Sequence, residues 1–392
     1  MWWISFILHE MAFGLLSIFI PLYMVALGGS LTQIGIMSSA AILLSILASL
    51  LWGYLCDKSG RCKPYIFLSF LTLAIILHTL TLTKDTGLLI ALYAIMAFFH
   101  MAHETPKNVL IAESYMRRHW EMAYAFYECI TEVGWLTGML IGFYLSAQGL
   151  AASYILLDCS VLNLMASILS IFLIKDPELI FERNLVKIER SIQSAYGGLI
   201  AALRATSNVG RINIMVENST KGFCLGLIAF FTATRILFTP LPIFLSRDLA
   251  LQESIVYALF CINSAGGVVG YFLSGKLSLN QGTLHRVAAL RCVLTLLLIA
   301  AGARQEYRIT LTAAVLFFLG LAYAIFHILS LSLSMEILPE GMMGIFNVTE
   351  CLGGALGSFI GPLIAEKLGF TYLFLGASLT FLTSYITLKI AA

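Results

Sequence analysis

Charge is what this sequence has least of. Of its 392 residues, 11% are charged and 60% are hydrophobic, whereas soluble globular chains carry about 25% charged residues. That balance excludes a soluble domain and implies a polytopic membrane protein. The formal net charge is only +2, and no basic stretch interleaves with aromatics, so no nucleic-acid partner is expected. The eight cysteines are scattered, with no CxxC or zinc-type spacing; they read as small apolar residues within helices. The intramembrane metalloprotease pattern HExxH is missing as well. "HE" occurs at 9–10 and 103–104, but the second histidine position holds Phe13 in one case and Lys107 in the other. No enzymatic activity is expected. The opening stretch "MWWISFILHEMAFGLL" has neither a basic leader nor a small-residue cleavage site. It reads as a retained first helix with Trp2 and Trp3 at the membrane interface.

What the chain does have is long apolar runs. A spanning helix takes about 20 mostly apolar residues. Twelve segments qualify, near 2–27, 31–55, 63–83, 87–113, 119–147, 149–174, 221–246, 252–276, 285–303, 308–335, 341–367 and 370–390. With the N-terminus inside, the cytoplasmic side collects fifteen Lys and Arg: Lys58, Arg61, Lys63, Arg117, Arg118, Lys175, Arg183, Lys187, Arg190, Arg204, Arg211, Lys276, Arg286, Arg291 and Lys389. The outer side holds five: Lys84, Arg247, Arg304, Arg308 and Lys367. This bias, with an even number of spans, predicts a cell-membrane protein with both termini in the cytoplasm.

The expected division is a six-helix half over 1–174, a cytoplasmic linker over 175–220 and a second half over 221–392. Within the linker Leu185, Ile188, Ile192, Ala195, Leu199 and Leu203 recur at helical spacing, which predicts an amphipathic helix on the membrane surface. The halves echo each other: Gly53, Leu55 and Gly60 meet Gly275, Leu277 and Gly282 at an offset of 222, Glu113, Gly134 and Gly138 meet Glu336, Gly357 and Gly361 at 223, and Pro21 meets Pro242 at 221. Parallel repeats about an axis normal to the membrane are a transporter architecture, with the substrate site between them. The small-residue rows Gly134/Gly138/Gly142, Gly353/Gly357/Gly361 and Gly266/Gly270 suit close helix packing, and an interface that slides between the halves is the functional expectation.

Between the second and third spans lies "GYLCDKSGRCKP", residues 53–64. It resembles the signature loop of the major facilitator superfamily: Gly53, Leu55, Asp57, Gly60, Arg61 and, one place displaced, Lys63 fit the pattern. The resemblance implies an all-α membrane fold of twelve transmembrane helices in two pseudo-symmetric six-helix halves. It also implies a cytoplasmic latch of Gly53, Asp57, Gly60, Arg61 and Glu113 that holds helix 2 against helix 11 in the outward-open state, and helices 1, 4, 7 and 10 around a central cavity. Physically, Gly60 permits a tight turn, Asp57 can face the positive end of a neighbouring helix, and Arg61 can pair with Glu113. In the second half Leu279 replaces the counterpart of Asp57, so no charged latch is expected there.

A further set of charges lies inside spans. Glu10, Glu104, Lys107, Glu128, Glu132, Asp158, Arg235 and Glu350 would each cost about 2.5–3.5 kcal/mol at the bilayer centre, or roughly 20 kcal/mol together. That exceeds the ~5–15 kcal/mol that holds a protein folded, so these groups must face protein or water. His100, His103, Glu104 and Lys107 share one helix face at i, i+3, i+4, i+7, and Pro106 should kink that helix. Glu128 and Glu132, one turn apart, repel as like charges, which predicts a proton shared or held. The candidate solute and proton residues are therefore Glu10, His100, His103, Glu104, Lys107, Glu128, Glu132, Arg235 and His327. His100, His103 and Glu104, completed by Glu10, also carry metal-ligand chemistry, but no metal or other cofactor is expected. The expectation is a monomeric secondary transporter that moves a small organic solute by alternating access, coupled to protons, with exchange-driven efflux, a uniporter and a transport-inactive sensor as alternatives.

Overall fold

The computed structural model describes residues 2–114, 120–176, 214–274, 281–303, 307–337 and 344–391. Its helices are α1 Trp3–Ala26, α2 Leu31–Ser59, α3 Lys63–Thr81, α4 Thr86–Ser114, α5 Trp120–Ala147, α6 Ala152–Leu173, α7 Ile214–Phe238, α8 Glu253–Ser274, α9 Gln281–Ala303, α10 Arg308–Ile337, α11 Gly344–Leu368 and α12 Phe370–Ala391. α7 continues through a short turn, Leu241–Ile243, into a wider π turn, Phe244–Asp248. All twelve expected spans fall on these helices, and each is long and apolar enough to cross a membrane. The described residues contain no strand. The amphipathic linker helix expected within 175–220 falls almost wholly outside the described residues.

Local signals set the helix ends. Gly28 takes φ +87, and Ser30 caps α2: its hydroxyl accepts from the Gln33 N–H while its own N–H donates to Gln33 Oε1. At the other end of α2, Gly60 adopts φ +63, the left-handed position that closes the helix and that a side chain would strain. α4 passes through Pro106 as a single helix.

The packing repeats with a period of six helices. α1 lies on α5 and α6, as α7 lies on α11 and α12; α2 on α4, as α8 on α10; α3 on α6 and α4, as α9 on α12 and α10. The two halves meet through α5 with α8 and through α2 with α11, the same contact made twice. Glycines permit the tightest approaches. Gly138 stands against the Met11 carbonyl of α1, and its repeat partner Gly361 against the Ile236 carbonyl of α7.

Here the expected sliding interface is corrected. Gly134 and Gly138 face α1, Gly353, Gly357 and Gly361 face α7, and Gly266 and Gly270 face α10. These rows weld helices within a half. Only Gly142 of the three rows faces the other half, against the Tyr257 ring of α8.

The halves are packed shut at the end of the bundle where α1 ends and α2 begins. There the Tyr257 hydroxyl donates to the Leu15 carbonyl at 3.0 Å, and the Thr32 N–H donates to Glu366 at 2.6 Å. A hydrophobic cluster joins Ile18 and Met139 of the first half to Leu237, Tyr257 and Leu316 of the second.

Arg291 requires a second correction. The charge tally assigns it to the cytoplasmic side, yet it sits roughly three turns into α9 and is fully buried. Its Nη1 donates to Thr234 at 3.1 Å, Nε and Nη2 lack partners among the described residues, and Phe230, Phe238, Tyr323 and Phe381 surround the guanidinium at 5.0–5.7 Å.

Candidate functional site

A cavity of about 290 Å³ lies between the halves, toward the opposite end from the packed one. Its wall is Glu10 from α1, Glu104 and Lys107 from α4, Tyr127, Glu128, Thr131, Glu132 and Trp135 from α5, Tyr271 from α8, Tyr323 and His327 from α10, and Glu350 from α11. Five carboxylates thus face one ammonium group.

Six of the nine candidate residues line this space: Glu10, Glu104, Lys107, Glu128, Glu132 and His327. His100 and His103 lie behind it and Arg235 apart from it. Arg235 is exposed, with its Cβ beside Gly357 of α11, and among the described residues it makes no ion pair. The four tyrosine and tryptophan residues of the wall have no counterpart in the sequence-based set. Nothing in the sequence marks an aromatic residue as cavity-facing in a chain with 16 Tyr and 26 Phe. Described wall residues also come from α5, α8 and α11 and not only from α1, α4 and α10, because α5 and α8 cross at the contact between halves.

Glu104 binds on both sides. One oxygen receives Lys107 Nζ at 2.5 Å, and the other lies 3.3 Å from His103 Nε2. Lys107 is buried and also stands 5.0 Å from the centre of the Tyr127 ring. This pair is local, i to i+3 on α4, so helical periodicity alone sets its geometry. Glu132 reaches across the interface instead: the Ser264 hydroxyl of α8 donates to its Oε1 at 2.5 Å. His327 stacks on Tyr323, with ring centroids 5.7 Å apart.

Behind the wall, three imidazoles cluster. His9 Nδ1 lies 2.8 Å from Asn163 Oδ1, His9 Nε2 3.2 Å from His100 Nδ1, and His103 Nδ1 3.0 Å from Ser69 Oγ. His9 and His103 are fully buried.

The latch residues lie toward the cavity end. Gly53 lies within α2 and Gly60 at its C-terminal cap. Arg61 is exposed and makes no ion pair among the described residues. Glu113, like Asp57, is described only for its backbone, so the expected pairing of Arg61 with Glu113 lies outside the described side chains. Contacts of α2 with α11 include Thr32 with Glu366, Gly35 with Phe359 and Ile42 with Gly354, toward the packed end. Asp176, which the sequence reading passed over, holds the loop from behind: its Oδ1 accepts from the N–H groups of Cys62 and Lys63 at 2.7 and 2.8 Å, which caps α3.

Known proteins agree with this architecture. The family model for the Major Facilitator Superfamily matches residues 2–357 and again 223–391. No curated protein matches the chain in sequence. Among solved structures, a point mutant of the nucleoside transporter NupG superposes with a TM-score of 0.78 at 14% identity, covering 100% of this chain and 98% of that one. A bacterial homologue of the human lysosomal transporter Spinster, in an inward-facing and occupied conformation, gives 0.73 at 11% identity, covering 100% and 95%. NupG itself gives 0.68 at 14% identity, covering 100% and 98%. At such identities the likeness is one of fold.

Proposed function

Because the chain belongs to the major facilitator superfamily, we propose that it is a proton-coupled secondary active transporter that carries a small organic solute across the cell membrane by rocking of its two halves. The observation that carries this reading is the cavity between the halves, walled by five carboxylates and a single lysine. Charges are costly at membrane depth unless they serve a function or find a partner. One carboxylate, Glu104, is paired with Lys107. That leaves an acidic excess suited to protons and to a cationic or hydroxyl-rich solute, with Tyr127, Trp135, Tyr271 and Tyr323 offering faces to its apolar part.

The positive-inside bias puts the cavity on the cytoplasmic side and the packed end outside, which is an inward-facing arrangement. Coupling would run through Glu132. Its hydrogen bond to Ser264 bridges α5 and α8, where the halves must part and re-form. A charged carboxylate accepts the Ser264 O–H strongly, whereas a protonated one holds it more weakly. Proton arrival would then loosen one link between the halves.

The test is flux in proteoliposomes under an imposed pH gradient, with a panel of organic cations and nucleosides. The expected result is gradient-driven flux of at least one solute that Glu132→Gln abolishes. Flux of equal size with and without the gradient would leave a uniporter and refute the coupling.

A further inference from the structure

The three imidazoles behind the cavity, with the Glu104 carboxylate, carry an arrangement that hydrogen bonding alone does not complete. The proton positions follow from the partners. Asn163 Nδ2 donates to the Cys159 carbonyl at 2.9 Å, so Asn163 presents Oδ1 to His9, and His9 Nδ1 must be the donor. His9 Nε2 then has a lone pair, which faces His100 Nδ1 at 3.2 Å. With the Ser69 hydroxyl proton on the Phe99 carbonyl at 2.8 Å, Oγ accepts from His103 Nδ1 at 3.0 Å. In a neutral ring, His103 Nε2 is likewise left with a lone pair. That atom is fully buried, has no hydrogen-bond partner among the described residues, and faces the Glu104 carboxylate oxygen at 3.3 Å. Either Nε2 carries a proton toward Glu104, with the Ser69 hydroxyl turned to Nδ1, or a positive charge lies between the two atoms.

We propose that this charge is a divalent transition-metal ion held by His9, His100 and His103, with Glu104 as the fourth donor. One ligand atom from each histidine lies within 4.8 Å of the others, and Glu10, His103 and Glu104 meet the same limit beside them. A tetrahedral ion with bonds of about 2.0–2.1 Å needs ligand atoms about 3.3–3.4 Å apart. Two of the six separations match, His9–His100 at 3.2 Å and His103–Glu104 at 3.3 Å; the two groups share only His103, so the remaining side chains must close on the ion as it binds.

The orienting partners are the kind such sites use: an amide on the far nitrogen of His9, fixing ring and tautomer, and a hydroxyl on that of His103, fixing the ring. Glu10 and Glu104 supply compensating negative charge, and both line the cavity, which gives an entry path. Imidazole donors with one carboxylate suit zinc, cobalt, nickel or copper rather than magnesium or calcium. His100, His103 and Glu104 share a helix face that the sequence already marks; His9 joins them only because α1 packs there, braced with α4 by Asn163 of α6 and Ser69 of α3.

The experiment uses the full-length protein without a polyhistidine tag, stripped with a chelator and loaded with Co²⁺. One equivalent per chain is expected, with the visible ligand-field bands of a four-coordinate ion. That equivalent should be displaced by Zn²⁺, lost in His9→Gln and in His103→Gln, and kept in His78→Gln, whose side chain is exposed on α3. If the first two variants fail to fold, Cu²⁺-loaded wild type decides: its electron paramagnetic resonance should show coupling to several imidazole nitrogens. Absence of bound Co²⁺ in the wild type, or binding that persists in folded His9→Gln and His103→Gln, would overturn the proposal. The first outcome would leave a proton on His103 Nε2 in the metal's place.

Discussion

Gly142→Ala should unseat the packed end of the molecule. A Cβ at Gly142 would collide with three atoms of the Tyr257 ring, which belongs to the other half and is 1% exposed. The ring is pinned, since its hydroxyl donates to the Leu15 carbonyl at 3.0 Å. Overpacking a tight site costs about 1–3 kcal/mol, and loss of the hydrogen bond adds about 0.5–1.5 kcal/mol. All of this penalty falls on the conformation in which α5 and α8 close at this end. At about 1.4 kcal/mol per decade, the balance between closed and open should move roughly tenfold to a thousandfold toward open. The assay is the distance between spin labels at Leu150→Cys and Gln252→Cys, both exposed near that end, in a background with the eight native cysteines replaced by alanine. A longer distance population should appear or grow. An unchanged distribution in folded protein would refute the argument, because it would mean that the Gly142–Tyr257 contact does not help to hold the halves together.

Gly138→Ala is the paired control. Its Cβ meets the Met11 backbone within the first half, so it should lower thermal stability by about 1–3 kcal/mol and leave the spin-label distances unchanged. Arg291→Met should raise the melting temperature of the detergent-solubilised protein, since it removes a buried guanidinium that has no carboxylate partner among the described residues; a fall would assign real worth to its Thr234 bond and aromatic surround. Asp176→Ala leaves two N–H groups of the signature loop without their acceptor and should cost about 0.5–2 kcal/mol, read as faster hydrogen exchange at residues 62–63. Ser264→Ala removes the donor to Glu132 and should weaken the pH-gradient dependence of flux while sparing expression and folding.

The span count, the two six-helix halves and the family were legible along the chain. Each depends on local composition or on an offset between positions, and the bilayer enforces both: twenty apolar residues must be helical wherever they sit, because unpaired backbone groups are intolerable in lipid. The face His100–Lys107 was legible for the same reason, since helical periodicity places four polar side chains together whatever packs against them. What lies opposite that face was not. Periodicity carries no information about which other helix arrives, so Tyr271, Tyr323 and Glu350 joined the wall only when α8, α10 and α11 were packed beside α5. The glycine rows show the same division: their spacing announced close helix contact, but only the fold decided that Gly138 meets α1 within its own half while Gly142, one turn on, meets Tyr257 of the other. Arg291 is tallied with the cytoplasmic-side cations because a charge near a span end looks the same from the chain whether it snorkels to water or turns inward. Only the aromatic side chains of α7, α10 and α12, gathered around it by tertiary packing, decided that it is buried.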